Sequence, residues 1–180
     1  MEVILIRHTS VDVPKGTCYG QTDVPVAATF DEEAAATRAA LESYGSFDAV
    51  WSSPLTRARK LAAACGYDQP MTDNRLKEMS MGDWEMRRFD EINDPHLKDW
   101  YANYIKERTT GGESFQDVYQ RVAAFLDELK QKDYKRVAIF AHGGVLMCAG
   151  LYAKLYTTDD MWDHLVPYGG ILRLTLNDER

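Results

Sequence analysis

The sequence predicts an α/β protein, a three-layer α/β/α sandwich around a mostly parallel sheet with a small helical cap. Two observations carry that expectation. Val3-Ile4-Leu5-Ile6 and Val137-Ala138-Ile139-Phe140-Ala141 are unbroken apolar runs bounded by polar or turn residues, as in parallel strands covered on both faces. Around them strand-like and helix-like stretches alternate, which favours crossover connections and a parallel sheet. At 180 residues, 45% of them apolar, the chain is long enough for one sizeable core. No repeat, low-complexity tract or linker interrupts it. The expected organisation is one domain over residues 1–180, with a cap insertion at about 84–110.

The first strand gives way to a polar loop, Thr9 to Ala28, punctuated by Pro14, Gly16, Gly20 and Pro25. A βα loop of that length is commonly a binding loop. A helix follows from about Asp31 to Tyr44, with Thr29 and Glu32 as a capping box and Gly45 as its stop. Asp48 to Ser52 reads as the second strand. Ser53 reads as the N-cap of a helix with Pro54 at its start and Gly66 at its end. A short strand lies near Met71. The charged and aromatic stretch from Trp84 to Arg108, interrupted by Pro95, has a poor helical period and reads as one or two cap helices. Ser114 with Asp117 opens an amphipathic helix whose Phe115, Val118, Val122, Phe125, Leu126 and Leu129 share a face. The run ending at Ala141 leads into a helix from about Val145 to Tyr156, and Ile171 to Leu176 is a closing strand.

The net charge of −7 argues against a nucleic-acid backbone binder, which needs dense Lys/Arg surface. A few arginines in a cleft can still hold a small anion. The most apolar stretch, Gly143 to Leu151, is too short to span a bilayer, and Met1-Glu2 runs into the first strand with no basic leader. Cys18, Cys65 and Cys148 show no paired spacing and read as buried core or anchor residues. These features predict a cytoplasmic protein without membrane or nucleic-acid partners that acts on a small molecule. Its oligomeric state is left open, a homodimer included.

Ligands of open α/β sheets bind beyond the carboxyl ends of the strands. Arg7-His8 and His142-Gly143-Gly144 both lie at such ends, so they can share one pocket despite their separation in sequence. Arg7 offers a planar fork suited to phosphate, and a neutral imidazole such as His8 is a competent nucleophile toward phosphorus. Arg57, one turn into the helix after Ser52-Ser53-Pro54, sits where the helix dipole also favours an anion. Gly143 and Gly144 permit close backbone approach. Taken singly, each feature has a plain alternative: a polar strand end, a solvated arginine, a core histidine. A carboxyl beside a phosphate can protonate a leaving oxygen, and Glu78, Asp83 and Glu85 all qualify by position. His96 reads as solvated and His164 as structural. Trp84, Phe89, Trp100, Tyr101 and Tyr104 read as the cap's own core.

Taken in order, Arg7-His8, then Ser53-Pro54-Leu55 with Arg57-Ala58, then Leu76 and Glu78 ahead of Gly82, Trp84 and Glu85, then Gly111-Gly112-Glu113-Ser114, and last Ala141-His142-Gly143-Gly144 resemble the histidine phosphatase (phosphoglycerate mutase-like) superfamily over nearly the whole chain. The resemblance implies a phosphoglycerate mutase-like fold and a phosphomonoester hydrolase that needs neither metal nor cofactor. It implies that His8 attacks phosphorus and becomes phosphohistidine. Arg7, Arg57 and His142 would hold the equatorial oxygens, and Glu78 would protonate the leaving group. The chain departs from many members at Thr9 and Met86, where they carry Gly. The loop Val13 to Pro25 resembles the α-ribazole-5′-phosphate phosphatase branch, in which Thr also commonly follows Arg-His. That branch implies α-ribazole 5′-phosphate or adenosylcobalamin 5′-phosphate as substrate, in assembly of the cobalamin nucleotide loop. Thr9, Tyr19, Gln21 and Gly143 would then join Arg7, Arg57 and His142 in the substrate site. The alternative is a broad-specificity sugar-phosphate or fructose-2,6-bisphosphate phosphatase. A mutase is disfavoured because only Asn177 to Arg180 follow the last strand. A non-catalytic phospholigand-binding module is disfavoured because His8, Arg7, Arg57 and His142 are all present.

Overall fold

The computed structural model describes residues 1–177. Its sheet consists of β1 (Glu2–Arg7), β2 (Ala49–Ser52), β3 (Met71–Thr72), β4 (Arg136–Ala141) and β5 (Ile171–Thr175), in the order β3-β2-β4-β1-β5. β1 pairs in parallel with β4, β4 with β2 and β2 with β3, whereas β5 runs antiparallel to β1.

Side-chain parity builds the layers. Along β1, Val3 and Leu5 join the core on one face, and Ile4 and Ile6 the core on the other. Along β4, Val137, Ile139 and Ala141 fall on the first face, Ala138 and Phe140 on the second. Strand side chains alternate, so an unbroken apolar run requires cover on both faces. α4 (Phe115–Leu129) and α5 (Gly143–Tyr152) supply the first cover, and α1 (Phe30–Glu42) and α2 (Thr56–Ala64) the second. The molecule is the three-layer sandwich that the two apolar runs predict.

The capping box expected from Ser114 is present: Ser114 Oγ accepts from the Asp117 amide at 3.1 Å, and the Asp117 carboxylate accepts from the Ser114 amide at 3.0 Å. Other helix starts differ. Thr29 makes no capping bond to backbone; its hydroxyl donates to Glu33, not Glu32, at 2.7 Å. α2 begins at Thr56, and its first-turn donors are met from a distant loop. Asp23 accepts from the Thr56 amide at 2.8 Å and from its hydroxyl at 2.6 Å, while Ser53 Oγ accepts from the Leu55 amide at 3.3 Å and also meets His142. α5 begins at Gly143, with His142 in extended conformation before it. The stretch after Trp84 contains one α-helix, α3 (His96–Ala102), and a 3-10 turn at Phe89–Glu91. Among the described residues no helix is long and apolar enough to cross a membrane.

Candidate active site

Strand register brings the polar residues together. Arg7 pairs with Ala141 across β1 and β4, and Ser52 with Phe140 across β2 and β4. The residues that follow, His8, His142 and Ser53, therefore emerge side by side at the carboxyl edge of the sheet. The His8 and His142 rings lie 5.2 Å apart, edge to face. Nδ1 of His8 is 2.6 Å from the Thr9 carbonyl oxygen. A carbonyl only accepts, which assigns the proton to Nδ1 and the lone pair to Nε2. Burial pushes the His8 pKa down to about 3, with the charges of Arg57 and Arg7 acting in the same direction. His8 is thus neutral at neutral pH. His142 is fully buried, with Nε2 2.8 Å from Ser53 Oγ, and burial likewise holds its pKa well below the ordinary value.

Arg57 is 0% exposed. Its Nη1 donates to the Thr22 carbonyl at 2.7 Å and its Nη2 to the Gly20 carbonyl. Arg7 Nη1 donates to the Val166 carbonyl at 2.7 Å, and its guanidinium lies 4.0 Å from the centre of the Tyr168 ring. The two glycines that open α5 admit the charged groups. A Cβ on Gly143 would lie 3.1 Å from Arg7 Cζ, and one on Gly144 would overlap the Glu78 carboxylate. Arg7 Nε, Arg57 Nε, His142 Nδ1 and Thr9 Oγ1 are all buried without a hydrogen-bond partner. Native interiors leave few polar atoms so. Here they gather on residues at one edge of the sheet, and each can donate to an oxyanion.

The structure separates the three carboxyl candidates. Glu78 lines the cavity at this edge, accepting from the Met79 amide at 2.9 Å and the Gly144 amide at 3.1 Å. Glu85 does not line it; its oxygens accept from the amides of Gly20, Thr22 and Met81. Asp83 is exposed and lies outside it.

The cavity encloses about 440 Å³ and is lined by two kinds of group. Arg7, His8, Arg57 and Glu78, with Gly143 and Gly144, are the polar ones. Met79, Met81 and Met147, the cap rings of Phe89, Trp100, Tyr101 and Tyr104, and Trp162 with Leu165 are the apolar ones. The cap aromatics therefore divide. Trp84 is fully buried against Cys18, Met81 and Ile92, while the other four face the cavity, because a single seven-residue helix cannot bury five rings within itself. Tyr19 lines the cavity, and its hydroxyl lies 3.2 Å from that of Tyr168. Thr9 and His142 sit behind the lining. Gln21 turns its amide to the Glu78 carbonyl at 3.1 Å and to Glu113 at 3.4 Å. His96 is half-buried rather than solvated, with Nε2 2.6 Å from the Arg108 carbonyl oxygen. His164 stacks on Tyr156 with ring centres 4.9 Å apart, away from the cavity.

Two groups of residues escape a reading by motif. Arg121 donates to the carbonyls of Arg75, Lys77 and Glu78 and pairs with Glu113 at 2.9 Å. It thereby holds the stretch that carries Glu78. In the sequence it is simply one arginine on a helix. Trp162, Leu165 and Tyr168 come from the connection between α5 and β5, whose short 3-10 turn at Met161–His164 has no extended period to betray them. Among the described residues no group of three or more His, Cys, Asp or Glu side chains is placed to hold a metal ion.

Comparison with known proteins agrees with this geometry. The profile of the histidine phosphatase superfamily, branch 1, matches residues 3–180. The chain is 29% identical to the adenosylcobalamin/alpha-ribazole phosphatase of Escherichia coli strain K12 over 189 aligned positions, covering 99% of this chain and 92% of that one. Its fold is similar to that of the alpha-ribazole phosphatase from Shigella flexneri, with a TM-score of 0.87 at 27% identity over 99% of this chain and 92% of the other. It is also similar to a phosphoglycerate mutase from Thermus thermophilus, with a TM-score of 0.75 at 29% identity over 98% and 100% of the two chains. With two histidines and two arginines at the carboxyl edge of the sheet and a family match spanning the chain, the protein is an enzyme of the histidine phosphatase superfamily.

Proposed function

We propose that this enzyme hydrolyses phosphate monoesters through a phosphohistidine at His8, and that α-ribazole 5′-phosphate or adenosylcobalamin 5′-phosphate is its substrate. The observation that carries the reading is a single cavity in which His8 and the guanidinium groups of Arg7 and Arg57, each with an unpartnered Nε, meet a wall of aromatic and methionine side chains. Nε2 of His8 attacks phosphorus as the P–O ester bond breaks, and Glu78 gives its proton to the departing oxygen. Arg7, Arg57 and His142 donate to the equatorial oxygens, where charge accumulates in the transition state. Water then attacks the phosphohistidine and passes a proton to Glu78, which restores both groups and releases phosphate. The peptide and hydrogen-bond framework holds these groups in place before substrate arrives, so little reorganisation is needed.

The apolar lining supports the choice of ester. α-Ribazole carries a flat dimethylbenzimidazole beyond its ribose, which suits ring faces and thioethers. A sugar bisphosphate would place a second phosphate or a set of hydroxyls against the same wall. The two α-ribazole phosphatases among the relatives support the same choice. Chain length does not bear against a mutase, since the Thermus mutase is matched along 100% of its chain. Of the four residues, Asn177 to Arg180, whose small number disfavoured a mutase, 178–180 lie outside the described residues.

The test is phosphate release from α-ribazole 5′-phosphate beside a panel of sugar phosphates, with EDTA present and His8→Ala as the blank. A strong His8-dependent preference for the ribazole ester supports the proposal. Equal or better turnover of sugar phosphates would reject the substrate while leaving the mechanism standing.

A further inference from the structure

Glu85 has an unusual set of partners. Its Oε1 accepts from the Gly20 amide at 2.9 Å, the Thr22 amide at 2.8 Å and the Thr22 hydroxyl at 3.0 Å. Its Oε2 accepts from the Met81 amide at 3.1 Å. The carbonyls of the same two loop residues, Gly20 and Thr22, are the ones that take the Arg57 guanidinium. The loop is therefore held on its N–H side by a carboxylate and on its C=O side by the phosphate-site arginine. The second oxygen of Glu85 reaches the stretch that carries Glu78, whose carboxylate is itself fixed by the Met79 amide. Gly20 packs directly on that stretch, since a Cβ there would overlap the Met79 carbonyl.

We propose that Glu85 is a positioning residue that sets Arg57 and Glu78 in one geometry through the Gly20–Thr22 and Met79–Met81 backbones, without touching the substrate. Charge-assisted bonds from a carboxylate to backbone amides are among the stronger hydrogen bonds, and a shift of about 1 Å at a reacting group can cost roughly 10²-fold in rate. The two oxygens have separable jobs. Oε1 serves the arginine loop and Oε2 serves the stretch of the acid. Glu85→Gln keeps one acceptor oxygen, which the three donors of the Gly20–Thr22 loop will claim, and turns an amide NH₂ toward the Met81 N–H. Glu85→Ala loses both arms.

This inference rests on assigning Arg57 to phosphate and Glu78 to the leaving group. The experiment compares wild type and both variants for turnover of 4-nitrophenyl phosphate and phenyl phosphate, for inhibition by vanadate, and for thermal stability. For Glu85→Gln the expected result is vanadate inhibition within about twofold of wild type, with phenyl phosphate slowed about tenfold more than the nitrophenyl ester. For Glu85→Ala the same leaving-group penalty appears, and vanadate binds about tenfold or more weakly. A merely structural role would lower the melting temperature and leave both ratios unchanged in the folded protein, which would overturn the proposal. If Glu85→Ala does not fold, an unchanged phenyl-to-nitrophenyl ratio in Glu85→Gln overturns it alone. If the wild type turns over the ribazole ester but neither aryl ester, unchanged vanadate inhibition of ribazole-ester turnover in Glu85→Ala overturns the proposal; a wild type inactive on all three esters would overturn the phosphatase premise.

Discussion

His8 is kept neutral by burial and oriented by one carbonyl, and the nucleophile assignment depends on both. His8→Ala should lower phosphate release by about 10³-fold or more while the far-UV circular dichroism stays that of the wild type; a pure variant that keeps its activity would refute the assignment. Glu78→Gln should slow esters with poor leaving groups far more than those with good ones, and equal slowing would mean that Glu78 does not protonate the leaving oxygen. Trp162 addresses the substrate. It is 57% exposed, yet its indole N–H donates to the Tyr104 hydroxyl at 2.6 Å, so the ring is held at the cavity wall. Trp162→Ala should raise KM for the ribazole ester roughly tenfold, the equivalent of about 1.4 kcal/mol from one lost ring contact. KM for glycerol 3-phosphate should not change. A parallel rise for both esters would show that Trp162 shapes the site as a whole rather than gripping the base.

Elements were legible where one local rule governs them. The runs at Val3 and Val137 announce buried strands because parity forces cover on both faces, and Ser114 with Asp117 announces a helix start because the two groups satisfy each other locally. Ser114→Ala should therefore cost about 1 kcal/mol, read as a lower urea midpoint with an unchanged slope; an unaltered midpoint would mean that the box adds nothing. The start of α2 was not legible, because its cap is Asp23, which arrives from another loop. The stretch after Trp84 was not legible either, since short 3-10 turns have no extended period. Among site residues, Arg7, His8 and His142 could be placed because each ends or follows a predicted strand, and Arg57 because it lies in the first turn of the helix after one. The residues alone left Glu78, Asp83 and Glu85 open and the resemblance chose Glu78; the folded loops set it apart physically, because Glu78 lines the cavity and Glu85 does not.

For the molecule as a whole, two neutral histidines packed against arginines make stability depend on pH in a definite direction. The folded-state pKa of His8, about 3, lies below the ordinary value of about 6.5, and that of His142 is also well depressed. As pH falls below about 6.5 the unfolded chain takes up a proton at each ring and the native protein does not, so stability falls with pH. Well above that value neither state is protonated and the effect is absent. The carboxylates held low by hydrogen bonds, such as Glu33 and Asp117, also lose their contribution in acid. They do so only as the unfolded carboxyl begins to protonate, near pH 4. Between about pH 5 and 6.5 the histidines are therefore read almost alone. His8 should cost about 2 kcal/mol by pH 5, from a limiting slope of about 1.4 kcal/mol per pH unit, and His142 adds a loss of the same sign. The check is urea unfolding at pH 7 and pH 5 for wild type and His8→Asn. The variant should lose about 2 kcal/mol less stability over that interval than the wild type. Equal losses would show that His8 is not the neutral, buried nucleophile that the site requires.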